Sequence, residues 1–197
     1  MRTIKKVASH IFIDGFGGMT QGLFATLIIG TMIQQIGLLI GGSTGNVIYL
    51  LGKAAAALTS AGIGVGVAVK YGESPLVTVS AAVAAMVGGY AGKITGGTFF
   101  VDGNAVLAGP GEPLGAFIAA FAGITCGHLV SGKTKVDIIV TPVITIGAGS
   151  VVGLLVGPPI SQMMTGLGSI INWATEQRPF IMGIVVSVVM GSVVSGF

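Results

Sequence analysis

The chain has 197 residues, 52% of them hydrophobic and only 8% charged, with a mean hydropathy of +0.97. Ordinary soluble domains carry roughly 25% charged residues, so this composition excludes a water-covered globule and points to spans across a bilayer. The net charge of +3 is dispersed among loops and argues against nucleic-acid binding, and the 35 glycines lack the G-X-Y period of collagen.

In chain order, residues 1–15 read as a cytoplasmic lead-in with Arg2, Lys5 and Lys6. His10 and Asp14 interrupt any signal-peptide core, so no cleavage is expected. Span one is expected over 16–40 and contains Gln34 and Gln35, and 41–45 is a turn cluster. Span two covers 47–69, with Lys53 near its start; 70–75 is a polar turn; span three covers 76–92. Residues 93–113 are too broken by Gly and Pro to span, yet too apolar for a solvated loop. They either re-enter the membrane or cap the bundle, since irregular backbone at membrane depth needs protein or a wet cavity around it.

Span four covers 114–130, a turn with Lys133 and Lys135 follows, and span five covers 138–156 with Pro142 near its start. Pro158-Pro159 suits a helix start. Residues 160–178 then read as an interfacial helix, with Ile160, Met163, Met164, Leu167, Ile170, Ile171 and Ala174 on one side and Trp173 near its end. Span six covers 180–197. The expected fold class is therefore all-α: one polytopic transmembrane helix bundle of about six spans.

Basic residues set the orientation. A cytoplasmic N-terminus puts Arg2, Lys5, Lys6, Lys70, Lys133 and Lys135 inside, with Lys93, Arg178 and Lys53 towards the outside. Small residues recur every fourth position: Gly115, Ala119, Gly123 and Gly127; Gly149, Gly153 and Gly157; Gly183, Ser187, Gly191 and Ser195. Each set gives a helix a flat face for close packing.

Chemistry is sparse. Residues 127–134, GHLVSGKT, satisfy the phosphate-loop pattern, but an apolar span precedes them and Pro142 follows, so a membrane turn is the reading. Gln34 and Gln35 either mark a substrate path or tie helices together. Asp102, Asn104 and Glu112 either line a polar pocket or belong to a solvated loop, Asp102-Gly103 being an ordinary turn dipeptide. These five are the candidate substrate-binding residues. His128 reads as a boundary histidine. Cys126, the single cysteine, reads as a structural thiol, without metal-ligand spacing. No catalytic constellation, metal or cofactor site is expected.

The order Pro113-Leu114-Gly115-Ala116-Phe117, a lysine turn, Thr141-Pro142-Val143, Val156-Gly157-Pro158-Pro159-Ile160 and Met164-Thr165-Gly166-Leu167 resembles the membrane IIC component of bacterial sugar phosphotransferase systems, the fructose-type branch most. Residues 22–31 and 62–68 are similar to segments of IIC-like membrane proteins named after a perfringolysin regulator. The resemblance implies a homodimeric permease in the bacterial inner membrane. Sugar would cross through IIC and be phosphorylated by partner IIA and IIB proteins at the expense of phosphoenolpyruvate. It implies that these residues correspond to the scaffold half of such a permease, without the acidic sugar-site motif or a IIB cysteine. A membrane regulator or sensor keeping the permease fold is the alternative, and an unrelated small-solute channel or structural membrane protein is a third.

Overall fold

The structure, a computed structural model, describes residues 10–177 apart from Ala108, together with Gly183. The expected lead-in cations, Arg178 and, Gly183 aside, the sixth span lie outside these residues. Two units are distinguished, Met1–Ile160 and Ser161–Phe197.

The first unit opens with α1 (Ile13–Ile40), 28 residues long and about 42 Å at 1.5 Å per residue. Its hydrogen bonding widens to the π pattern over Phe24–Ile28. Gly41 and Gly42 then take positive φ, +66° and +63°, and reverse the chain within two residues. The expected five-residue turn is thus shorter, because α2 (Gly42–Ala57) begins at its second glycine.

Span two is broken. α2 and α3 (Thr59–Lys70) meet at Leu58 with a bend of 52°. There the Leu58 N–H donates to Ala55 O, one residue short of the α-helical partner, and the Thr59 hydroxyl donates to Ala56 O at 2.6 Å. The sequence reading treats 47–69 as one uninterrupted span. The side-chain bond at Thr59 offers the backbone an alternative to the helical ladder.

Glycines join the two limbs of this antiparallel hairpin. Gly18 faces Gly66 and Gly22 faces Gly62; further along, Gly30 faces Gly52 and Gly37 faces Gly45. A step of four on one limb is matched by four on the other, and a step of seven by seven. Only between Gly22 and Gly30 does the register slip: eight residues of α1 oppose ten of the α2–α3 limb. The excess lies at the Leu58 bend, opposite the π turn. A Cβ on Gly18 would stand 2.6 Å from Gly66 O, and one on Gly37 2.5 Å from Tyr49 N, so only glycine allows this approach.

A polar turn with Gly72 at φ +69° leads to α4 (Pro75–Gly89). Ser74 caps it, accepting the Val77 N–H at 3.4 Å, with Pro75 in the first turn where its missing N–H costs nothing. The short α5 (Ala91–Thr95) follows Tyr90. A two-stranded ribbon pairs β1 (Phe100–Val101) with β2 (Asn104–Ala105), then α6 (Pro113–Val130) and α7 (Asp137–Gln177) complete the chain's helices among the described residues. Helices α3, α4 and α6 enclose the core: Ile63 and Val67; Val77, Ala81 and Ala85; Ala116, Phe117, Ala120 and Ile124.

The small-residue faces expected on spans four and five meet each other. Gly123 approaches Thr145 O and Gly149, Gly153 lies on Gly88 and Ala119, and Gly157 on Ala91. The double proline does not start a helix as expected; it lies inside one helix that runs on to Gln177. Pro158 and Pro159 deprive Leu154 and Leu155 carbonyls of donors, which costs about 3 kcal/mol or more in a helix interior. Burial of Gly153, Gly157 and Ile160 holds the turn in place despite this. In the second unit, residues 161–177 are helical, with the Thr165 hydroxyl returning to Ser161 O.

Three helical stretches, Ile13–Ile40, Pro113–Val130 and Asp137–Gly166, are long and apolar enough to cross a membrane, and the bent α2–α3 pair makes up to a fourth. α4 has 15 residues, about 22 Å against a hydrocarbon core of about 30 Å. The described residues thus form an all-α, multi-pass bundle, with three to four candidate spans where the sequence reading expects about six in the whole chain. Large side chains face outward, Leu39 at 87% and Ile138 at 72% exposure, as lipid contact requires.

Candidate functional site

The bundle has two polar ends. At the first, the turn after α3 meets the turn after α6. Ser74 and Ser131 share a hydrogen bond of 2.9 Å, and His128 Nδ1 lies 3.0 Å from Glu73 Oε1. The Glu73 side chain is 9% exposed, the ring 71%. Lys70, Lys133 and Lys135 belong to these same two turns, so the structure gathers on one end the lysines that the charge pattern assigns to one side. Tyr71 lies here too. Burial, and secondarily the Asp14 carboxylate, push its phenol above the ordinary value.

The phosphate-loop look-alike lies at this end and is already filled. Its first four residues, 127–130, are the last turn of helix α6, with no strand immediately before them. The Gly132 N–H donates at 2.9 Å to Asp137 Oδ1, which also accepts the Thr141 hydroxyl at 2.6 Å. A fixed carboxylate occupies the position a phosphate would need, and two anions repel.

The second end is more elaborate. Here residues 106–107 and 109–112 form a strap across the broken span. The Tyr90 phenol, 1% exposed, reaches the carbonyls of Gly109 in the strap and of Ala57 beside the break, the latter at 3.2 Å. The Ser60 hydroxyl donates to Pro110 O at 2.9 Å, and the Glu112 N–H to Gly89 O at 2.7 Å. Gly111, at φ +76°, leaves no room for a Cβ beside the Ser60 hydroxyl. The Ala57 carbonyl beside the break is thereby given a protein partner, as irregular backbone in a membrane protein requires. The hydrogen bonds tie the end of the 93–113 segment to Ser60, Gly89 and Tyr90. Around Tyr90, Phe99 packs at 5.3 Å between ring centroids, and Lys93 Nζ stands 5.3 Å above the Tyr90 ring.

The five candidate residues do not converge. Asp102 and Asn104 are exposed at the ribbon tip. Asp102 (φ +51°) and Gly103 (φ +76°) form its two-residue turn, and the Asn104 amide donates to Asp102 O at 3.2 Å. Gln34 is half-buried against Gly52, and Gln35 is exposed. Glu112 alone joins the strap. It precedes α6, and burial pushes its carboxyl above the usual range, offset in part by the Leu114 N–H. Sequence reasoning missed Tyr90, Ser60 and Glu73. Their partners are 19 to 55 residues away; for Tyr90 and Ser60 the signal was a hydroxyl amid Gly and Ala, and for Glu73 a carboxylate in a polar turn.

Among known families, the one described as "Phosphotransferase system, EIIC" matches residues 13–195. No curated protein and no solved structure matches the chain. The match covers nearly every element described above, including the glycine-joined hairpin, the strap and the two packed helices α6 and α7. The chain belongs to the EIIC family, the membrane permease components of sugar phosphotransferase systems.

Proposed function

We propose that this chain provides the scaffold of a sugar permease, with the Lys70, Lys133 and Lys135 end in the cytoplasm of a bacterial cell and the strapped end outside. It works as a homodimer with IIA and IIB phosphotransfer proteins. Within the family, the Gly157-Pro158-Pro159 and Met164-Thr165-Gly166-Leu167 elements favour the fructose-type branch and the perfringolysin-regulator-like group. The observation that carries the reading is the broken span under its strap: transporters place substrates where a helix is interrupted and polar backbone groups lie within the membrane. Of the five candidates, Glu112 is the one favoured as a sugar-hydroxyl partner, because it alone belongs to that strap.

The test is phosphoenolpyruvate-dependent uptake of a panel of radiolabelled hexoses and hexitols, in cells carrying this chain with its IIA and IIB proteins. Glu112→Gln is expected to lower the initial rate of the transported sugar about tenfold at equal membrane abundance, the loss of one charged hydrogen bond. An unchanged rate removes Glu112 from the sugar path. Absence of uptake for every sugar, with the partners active on another permease, overturns the transport reading.

A further inference from the structure

The hairpin of α1 with α2 and α3 is held in two different ways along its length. On one side of the π turn, Phe16, Met19 and Leu23 of α1 and Ile63 and Val67 of α3 pack into the core, and the Phe16 ring stacks on Phe117 at 4.9 Å between centroids. On the other side, the buried residues of Ile29–Ile40 and Gly42–Ala57 are Gly30, Gly37, Gly45, Gly52 and Ala56. These two stretches pack mainly on each other. The outer half of the hairpin is therefore a two-helix lobe with no buried side chain larger than alanine.

Both limbs are irregular where the lobe begins, and at the same level. α1 has the π pattern over Phe24–Ile28, and the facing limb bends by 52° at Leu58. A threonine marks each place: the Thr26 hydroxyl donates to Gly22 O at 2.7 Å, as Thr59 does to Ala56 O at 2.6 Å. Such bonds give a carbonyl a partner outside the ladder and bend helices, and 3₁₀ and π turns inside helices concentrate at hinges and functional sites. A break in one limb alone would be splinted by the other. Here the two coincide, between the Gly22–Gly62 and Gly30–Gly52 contacts that fix the register on either side, so the lobe can turn without one limb sliding past the other. The strap reaches across this joint. The Tyr90 phenol, shared with Gly109 O, meets Ala57 O at the end of α2 at 3.2 Å, and Leu107 borders Ala54 and Ala57. We infer that residues 29–57 are a rigid arm that pivots about the Phe24–Ile28 turn and Leu58, and that the Tyr90 bond to Ala57 O is the catch holding it in this position. The pivot is a property of the fold and does not rest on sugar transport.

Double electron–electron resonance on the full chain in lipid nanodiscs reads the arm's position. Spin labels go on Leu39→Cys in the arm and Val79→Cys in α4, both exposed, with Cys126 replaced by serine. A pair within the body, Val79→Cys with the exposed Leu155→Cys, is the control. With the catch intact, one arm–body distance is expected to dominate. Tyr90→Phe should raise the population at a second, displaced distance about fivefold, the change that one hydrogen bond provides, and leave the body pair as it was. Leu58→Gly, which loosens the pivot and keeps the catch, should broaden the arm–body distance alone. Should Tyr90→Phe not assemble, Leu58→Gly with the same two label pairs decides. An arm–body distribution unchanged in Tyr90→Phe overturns the catch, and one unchanged in Leu58→Gly overturns the pivot. Equal broadening of the body pair overturns both, because the whole bundle would then have loosened.

Discussion

The phenol of Tyr90 lies 3.2 Å from the carbonyl of Ala57, 33 residues earlier, at the point where the second span breaks. The same hydroxyl reaches Gly109 in the strap, so one side chain joins the broken helix, the end of α4 and the cover over both. Tyr90→Phe removes the hydroxyl and leaves the buried carbonyls without it, a loss of about 1–3 kcal/mol. The expected outcome is a lower thermal midpoint in detergent and faster amide exchange confined to the strap, at Gly109, Gly111 and Glu112. Strap exchange at the wild-type rate would show that Tyr90 does not hold it.

Glycines on one helix should differ sharply in tolerance. A Cβ on Gly149 would stand 2.6 Å from Ala119 O, whereas Gly147, two residues away, has open space. Gly149→Ala is expected to destabilise by about 1–3 kcal/mol through overpacking. Gly147→Ala should be neutral or stabilising by up to about 1 kcal/mol, since alanine is the better helix former. Thermal unfolding of the two variants side by side decides; equal effects would contradict the packing.

Glu112 gives a pH dependence. Its carboxyl is raised in the folded chain by burial, so folding favours the protonated form. The stability this contributes is fully present below the ordinary carboxylate pKa and is lost as pH rises through the elevated folded value. Glu112→Gln stays neutral throughout. Its stability relative to wild type should therefore climb across that window and then level off, as followed by unfolding midpoints over a pH series. A pH-independent difference would contradict the buried-carboxyl account.

The turn with the phosphate-loop pattern should show structural behaviour only. Asp137→Ala removes the acceptor of both the Gly132 N–H and the Thr141 hydroxyl, costing about 1.5–3 kcal/mol for bonds to a charged group. Neither the wild-type chain nor Lys133→Ala should bind ATP or GTP in equilibrium dialysis. Saturable binding lost on Lys133→Ala would show the pattern to be functional.

What could be read from sequence was whatever repeats or accumulates along the chain. Composition gave the membrane bundle, lysine placement grouped Lys70 with Lys133 and Lys135, and the four-residue spacing of Gly115, Ala119 and Gly123 marked a real contact face. The break at Leu58 was hidden because Val47 to Val69 is uniformly apolar, and hydropathy does not register a change of hydrogen-bond partner. Pro158-Pro159 misled in the opposite direction, since packing at Gly153 and Gly157 outweighs a local preference. The strap depends on bonds between residues far apart in the chain, such as Ser60 with Pro110. His128 with Glu73 is of the same kind. Asp102 and Asn104 were ambiguous in sequence; Asp102 takes a positive φ in the ribbon turn and the Asn104 amide donates to its carbonyl.

The matched glycines of α1 with α2 and α3 have a consequence for how such a chain changes over time. Where two helices touch through bare backbone, the contact contains almost no side-chain information. Substitutions on the outward faces, at Met32, Ile36, Leu51 or Val65, leave it untouched and are free to follow the surrounding lipid. Deleting a single residue between Gly30 and Gly37 would instead rotate one strip off the other and separate the limbs. The hairpin is thus permissive to replacement and intolerant of length change, and its lineage should record many exchanges of one aliphatic residue for another and very few gaps.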